Sequence, residues 1–361
     1  MRTHRIAIAG IGSAAETHAR GIDLLDDVEL VAGSCRTESK GVAFADEFDC
    51  EWYPDTESML DAETPDVLSV CTPSGAHLTP TLAAAERGVD VLCEKPLEIT
   101  AARIDRMVDA ATTHGIRLGG IFQRRYIPLL QTVRSAVEDG RFGTLSVATA
   151  SVPWWRDDDY YEGGWQGIAA LDGGGATMTQ AIHAVDAIQW LAAAGMDLEP
   201  EENPVAEVFA YTDTRAHDGD AIEVEDTAVA SLRYRDGTLG QLLATTSTYP
   251  GSAMEYRIAG RDGTVEIRDD ELTTWRFRDS RPDDESIRTD FGPNGHGGDA
   301  PDPLETANIR AFLDARRTGE PFMLDHQEAR KAVEIVEAIY ESTATNQPVA
   351  IPSVSGGSVD G

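Results

Sequence analysis

Residues 5–15 leave the chain few ways to fold. Arg5-Ile6-Ala7-Ile8-Ala9 is an apolar run of strand length, and it leads directly into Gly10-Ile11-Gly12-Ser13-Ala14-Ala15. A helical pattern follows to about Leu25, and a second strand pattern covers Glu29 to Gly33. Strand, glycine turn and helix in that order open a parallel sheet, whose strands need crossover connections. The glycines also allow a backbone to come close to a pyrophosphate, while the helix start offers N–H donors and partial positive charge. Gly10, Gly12, Ser13, Ala14 and Ala15 are therefore candidate dinucleotide contacts, in a GxGxxA form of the fingerprint.

The alternation continues. Asp66–Cys71 reads as a strand that breaks at Thr72-Pro73-Ser74-Gly75, and His77 opens a helix to about Arg87. Val89–Cys93 is a short buried strand, Thr100 caps a helix to His114, and Ile116–Phe122 is the last strand of the series. This predicts a doubly wound parallel (Rossmann) sheet over residues 1–123. The period then changes. After a helix at Ile127–Glu138 come longer alternating strands: Leu145–Val152, Val205–Thr212, Val224–Tyr234, Leu239–Tyr249, Met254–Ala259, Val265–Ile267 and Leu272–Phe277. Asp236-Gly237 and Asp262-Gly263 are hairpin turns. Residues 124–352 thus read as an α/β domain with a large, mostly antiparallel open sheet. Its helices are expected at Ala176–Ala193, Pro303–Arg316 and His326–Ser342, with an acidic loop from Asp279 to Pro301 and a flexible tail at 353–361.

Charge narrows the partners. The chain has 63 acidic and 30 basic residues, a net −33, with the acids scattered. Phosphate would be repelled, so nucleic acid is not an expected partner. Dispersed acids with few lysines suit a protein adapted to high salt, which screens self-repulsion. No apolar run approaches the roughly 18 residues of a membrane span, and no secretory leader is legible, so a cytoplasmic location is expected. The four cysteines, Cys35, Cys50, Cys71 and Cys93, form no metal-like cluster and read as reduced packing residues.

Lysine is rare here: Lys40, Lys95 and Lys331 stand against twenty-seven arginines. Lys95 follows the strand ending at Cys93, where the carboxyl edge of an open sheet binds ligands. A desolvated lysine can give up its proton near neutrality, and arginine cannot. A lysine snorkelling from a strand end is the plainer reading of the same position. Near the end of the second strand there is no acid before Glu38 to meet a ribose 2′-hydroxyl. Ser34, Arg36 and Thr37 instead offer donors suited to a 2′-phosphate, which favours NADP while leaving NAD possible.

A second constellation is Leu171-Asp172-Gly173-Gly174-Gly175, followed by an apolar helix carrying Thr179 and His183 four residues apart. A lone histidine on such a helix is commonly a core residue, but the glycines permit close approach of a ligand. Between Trp154 and Trp165 the chain gathers Trp155, Arg156, Tyr160 and Tyr161. Aromatic faces beside polar groups suit a sugar, and they also suit core packing. Gln123-Arg124-Arg125-Tyr126 closes the last Rossmann strand, with one arginine open to pairing with an acid instead.

Taken together, Gly-Ile-Gly-Ser-Ala-Ala, the Cys-Thr-Pro-Ser strand end, Glu94-Lys95-Pro96 and the Gly-Gly-Gly run leading to His183 and Asp186 resemble the glucose–fructose oxidoreductase / inositol dehydrogenase (Gfo/Idh/MocA) family. The resemblance spans nearly the whole chain. It implies NAD(P)-linked hydride transfer at a secondary hydroxyl or carbonyl of a sugar, sugar acid, polyol or cyclitol, and a homodimer or homotetramer built through the open sheet. It implies catalytic roles for Lys95 and His183, and cofactor contacts at Cys71, Thr72, Pro73, His77, Glu94, Lys95, Gln123 and Arg124. Substrate contacts would come from Thr179, Arg156, Trp154, Tyr161, Trp165, Arg125 and Tyr126. One position departs: many members carry Asp four residues before the histidine, and here it is Thr179, which cannot act as a base near neutrality. An NAD-dependent glycosidase and a cofactor-bound sugar sensor are the alternatives on this fold, told apart by whether cofactor is consumed.

Overall fold

The first apolar run forms a strand buried on both faces. β1 (His4–Ala9) carries Ile6, Ala7, Ile8 and Ala9 at 2% exposure or less, which places it inside a parallel sheet. The computed structural model describes residues 3–217, 222–293, 295, 297 and 303–353. After β1 come α1 (Ser13–Asp23), β2 (Val28–Ser34), α2 (Glu38–Phe48), β3 (Glu51–Tyr53), α3 (Thr56–Glu63), β4 (Val67–Val70), α4 (Leu78–Glu86), β5 (Asp90–Cys93), α5 (Ala101–His114) and β6 (Leu118–Gly120). The sheet order is β3-β2-β1-β4-β5-β6, and every pairing is parallel. The order reverses between β1 and β4, which is where such sheets bind ligands. Local signals set the helix ends. Thr100 Oγ1 accepts from Arg103 N at 3.3 Å to start α5, and Gly115 ends it in the left-handed region.

The rest of the chain continues with α6 (Pro128–Glu138), β7 (Leu145–Pro153), α7 (Ala169–Asp172), α8 (Ile182–Ala193), β8 (Val205–Asp213), β9 (Thr227–Tyr234), β10 (Leu239–Thr245), β11 (Glu255–Gly260), β12 (Gly263–Arg268), β13 (Glu271–Phe277), α9 (Asp284–Phe291), α10 (Leu304–Thr318), α11 (His326–Thr345) and β14 (Val349–Ala350). The second sheet runs β13-β12-β11-β7-β10-β9-β8-β14. Its pairings are antiparallel except β7 with β10. β9 shows why one face is packed: Ala228, Ala230, Leu232 and Tyr234 are buried, and Val229, Ser231 and Arg233 between them are exposed. The apolar α8 packs on β7 and β11. Two units result: Met1–Gln123 with Ala170–Gly173 and Pro301–Val333, and Arg124–Ala169 with Gly174–Ala300 and Glu334–Gly361.

Two readings of the sequence change, and one stretch gains elements. The stretch from Ala176 to Ala193 is a π-helical turn (Ala176–Gln180) followed by α8, so Thr179 and His183 lie on opposite sides of a break at Ala181. The Asp279–Pro301 stretch contains α9, because Asp284 accepts from Trp275 Nε1 and Arg141 Nη2, each at 2.7 Å, and so anchors a helix in acidic sequence. Residues 38–63, for which the sequence reading places no element, form α2, β3 and α3. The expected tail lies outside the described residues beyond Ser353.

The second unit buries the Arg125–Asp186 ion pair completely. Arg125 and Asp186 are each 1% exposed, joined by Nε to Oδ2 at 2.9 Å and Nη2 to Oδ1 at 2.5 Å, with the guanidinium 5.3 Å from the Trp190 ring centre. A pair this deep is costly to break from one side, since the remaining charge is stranded. Asp186→Ala is expected to destabilise the protein by about 3–5 kcal/mol in urea unfolding. Replacing both partners with leucine should recover most of that loss.

Candidate active site

In the first unit, the turn after β1 is built to receive an anion. Gly12 caps α1 in an extended conformation with no side-chain hydrogen bond, and a Cβ there would meet nothing within 4 Å. Gly12 therefore leaves open room at the start of α1, where the first helical N–H groups have no intrahelical partner. Thr72 Oγ1, at the end of β4, is buried without a hydrogen-bond partner. Gln123 Oε1 is also buried without one, while its amide nitrogen donates to Glu305 at 3.1 Å. An uncapped helix start, open room and orphaned acceptors fit a dinucleotide cofactor. Arg36 and Thr37 are exposed past β2. Ser34 is not available with them: it is 2% exposed and its hydroxyl lies 3.2 Å from Thr56 Oγ1. His77 is likewise turned inward. Its ring reaches Thr72 O at 2.8 Å, Pro96 O at 3.0 Å and Leu97 O at 3.3 Å, so it ties two loops together rather than meeting a ligand.

Lys95 is half-buried just past β5. Burial lowers its pKa below the usual lysine range, and the facing charges of Glu94 and Asp172 oppose that shift. Glu94 is not free for a cofactor. Its Oε1 lies 3.0 Å from His18 Nε2, and its Oε2 accepts Lys95 N at 3.0 Å. Burial raises the Glu94 carboxyl, but the bond to and charge of His18, together with the charge and backbone N–H of Lys95, outweigh it and bring it down to about 2. Asp172, 1% exposed at the end of α7, was not singled out from the sequence. Gly173 after it turns at φ +75, and a Cβ there would lie 2.3 Å from Ile99, four residues beyond Lys95. Only glycine allows that approach, so the aspartate preceding a glycine run was the available signal.

In the second unit, a carboxylate organises the glycine-rich turn. Glu225 Oε2 accepts Gly175 N at 2.9 Å, and its Oε1 accepts Thr177 N at 2.9 Å and Tyr340 O–H at 3.0 Å. Burial raises its pKa, and these bonds work in the other direction. No local signal marks it, because it lies 50 residues from the turn it caps. Thr179 is buried within that turn, its hydroxyl 3.5 Å from Gly174 O. Beyond the break, Ile182 and residues 184–192 are buried whereas His183 is only half-buried, unlike a core histidine.

Arg156 joins the aromatic loop to the same turn. Its Nε and Nη2 donate to Gln180 Oε1 at 3.2 and 3.0 Å, and Gln180 Nε2 donates to Tyr160 O–H at 2.7 Å. The guanidinium also lies 5.4 Å from the Trp154 ring centre and 5.0 Å from that of Tyr160. Trp154, Trp155 and Arg156 line a cleft of about 370 Å³ with residues 250–253 and Asp269. Trp165 is half-buried nearby in sequence. Tyr161 belongs to packing instead: 8% exposed, it sits against Ile222 and Val224 with its hydroxyl 3.1 Å from Thr246 Oγ1. Arg125 is committed to Asp186, which withdraws it from substrate, and Arg124 pairs with Asp270 at 2.6 Å. The Tyr126 hydroxyl is buried without a hydrogen-bond partner, and burial raises its pKa.

Glu225→Ala should release the N–H groups of Gly175 and Thr177. The expected result is a loss of about 1–3 kcal/mol in urea unfolding, with faster amide exchange at those two positions.

An oxidoreductase-family pattern with an NAD-binding Rossmann fold matches residues 4–121, and the GFO/IDH/MocA C-terminal domain matches residues 130–266. D-glucoside 3-dehydrogenase from Escherichia coli is 34% identical over 195 residues, 52% of this chain and 53% of that protein. Myo-inositol 2-dehydrogenase from Thermotoga maritima is 25% identical over 98% of this chain and all of its own length. The WlbA dehydrogenase from Bordetella pertussis, solved with NADH and UDP-GlcNAcA, superposes with a TM-score of 0.87 at 30% identity, covering 98% of each chain. A Rossmann unit with an uncapped helix start, a half-buried lysine at its sheet edge and a glycine-rich turn before a half-exposed histidine agree with these matches, and the chain belongs to the GFO/IDH/MocA oxidoreductase family.

Proposed function

We propose that the protein is an NAD(P)-dependent oxidoreductase that moves a hydride between a nicotinamide and a secondary hydroxyl or carbonyl of a sugar, sugar acid, polyol or cyclitol. The observation that carries this reading is Lys95, half-buried, lowered in pKa and faced by Asp172 at the carboxyl edge of an NAD-binding sheet. The relatives are dehydrogenases of sugars and cyclitols, which supports the same class of substrate.

A bound nicotinamide supplies the hydride acceptor in the oxidative direction. The chain's own residues bind, orient and move the proton. Gly12 and the first turn of α1 hold the pyrophosphate, with the Thr72 hydroxyl beside them. Neutral Lys95 takes the substrate hydroxyl proton onto Nζ, and its desolvated surroundings make that neutral form accessible. His183 is the second group able to hold that proton. Thr179 contributes a hydrogen bond only. Trp154 and Trp165 offer faces for a sugar ring, while Arg156 and the Tyr126 O–H donate to its oxygens.

The finer reading favours NADP through Arg36 and Thr37, whose exposure leaves them available to a 2′-phosphate. Residues 1–123 bind cofactor, and residues 124–352 bind substrate and partner copies. The outer face of β8, β9 and β10 exposes Tyr211, Val229 and Leu239, which suits a homodimer or homotetramer. Among the described residues no helix is long and apolar enough to cross a membrane; a cytoplasmic location is the finer reading, and the net charge of −33 favours adaptation to high salt.

The test is reduced-nicotinamide absorbance in multimolar KCl, with NADP or NAD and a panel of aldoses, uronic acids, polyols and inositols. Lys95→Ala is expected to lower kcat by about 10²–10⁴-fold. Arg36→Ala should raise KM for NADP roughly tenfold, the worth of one charged hydrogen bond, and leave KM for NAD nearly unchanged. Tight cofactor binding with no turnover of any alcohol would sink the dehydrogenase reading.

A further inference from the structure

α1 carries a titratable group for which cofactor binding has no use. His18 shares the inward stripe of Ala15, Ala19 and Ile22, and it is 0% exposed. Its Nδ1 lies 2.7 Å from Ser69 Oγ on β4, and its Nε2 lies 3.0 Å from Glu94 Oε1 past β5. An ionised carboxylate only accepts, so Nε2 carries a proton. Serine can donate or accept, so the site admits either the neutral ring or the imidazolium. Burial opposes the charged ring, but contacts with Cys71 and Glu94 outweigh it and raise His18 well above the ordinary histidine range. Glu94 in turn has both oxygens engaged, one by His18 and one by the backbone N–H of Lys95. Among the described residues, Glu94 and Asp172 are charged groups that face Lys95.

We propose that His18 is a positioning residue for Lys95: it closes Glu94 into a buried pair, so that the lysine meets Asp172 and a neutralised neighbour rather than two unmatched carboxylates. The inference rests on reading Lys95 as the group that takes the substrate proton. A packing histidine would be replaceable by any side chain of its shape. A positioning histidine is not, because its charge sets the field at the lysine.

The effect has a sign. Without the imidazolium, Glu94 stands beside Lys95 as an uncompensated anion. That favours the ammonium and moves its deprotonation to higher pH. The proton-accepting form is then reached later, and the acid limb of kcat/KM shifts upward.

The experiment is the pH profile of kcat/KM in the oxidative direction, using the full chain as wild type, His18→Gln, Glu94→Gln and the double variant. In His18→Gln the acid limb is expected to move up by roughly one pH unit, a tenfold loss on that limb that is recovered at higher pH. In the double variant the limb returns to its wild-type position, because the anion is gone. An unmoved limb in His18→Gln, or a limb still displaced in the double variant, overturns the inference. Lys95→Ala in the same assay separates the two layers. If it is inactive while the His18→Gln limb stays put, only the role of His18 fails; if it keeps full activity, the reading of Lys95 fails as well. Should His18→Gln not fold, ring ¹⁵N shifts of wild-type His18 decide the matter. An imidazolium persisting at pH 7 supports the inference, and a neutral ring there overturns it.

Discussion

A charge taken out of water must be met by another charge or by hydrogen bonds, and each of the two units is arranged around that requirement. In the first unit, His18 and Glu94 form a pair beneath the sheet edge, and Asp172 arrives from α7 to face Lys95. In the second, Arg125 and Asp186 neutralise each other between a short helical turn and α8. Each charge has a partner, which lets a lysine remain half-buried without an uncompensated carboxylate beside it. The chain as a whole carries a net −33, so the burial of basic residues against acids is the more telling feature.

The adjacent acids Glu225 and Asp226 show the same principle applied to backbone. Glu225 caps the glycine-rich turn through Gly175 and Thr177. Asp226 accepts from the backbone N–H groups of Arg215, Ala216 and His217 and from the His217 ring, and those bonds hold its carboxyl well below the usual range despite burial. Two neighbouring carboxylates thus fix two separate segments. The π-helical geometry of Ala176–Gln180 is held by one of them, and it decides how Thr179 and His183 are presented. A straight helix would have stacked them on one face; the break at Ala181 separates them.

Thr179 also gains meaning from this arrangement. The carboxylate that many family members place four residues before the histidine is missing from this chain. A carboxylate does face Lys95, but it comes from Asp172, at the start of the glycine run. The pattern of charge around Lys95 therefore cannot be inferred from the helix motif alone.

Much of the architecture was legible in the residues, for reasons of period and compactness. A continuous apolar run such as Ile6–Ala9, ended by a glycine turn, suits a doubly covered strand, and the alternation in Ala228–Tyr234 suits a half-covered one. Gly10 to Ala15 and the scarcity of lysine pointed to the turn after β1 and to Lys95 because the relevant chemistry is local. Pairings across long separations were not legible. His18 meets Glu94 across 76 residues, Arg125 meets Asp186 across 61, and Glu225 reaches Gly175 across 50. Sequence alone determined most of the strands and helices, though not α9 or the break at Ala181, since side-chain periodicity acts within a few residues. Only the tertiary structure decided which candidates remain available to a ligand. Burial and hydrogen bonding turned His77, Ser34, Tyr161 and Arg125 inward and brought Asp172 to Lys95, and those are properties of neighbours that chain order does not specify.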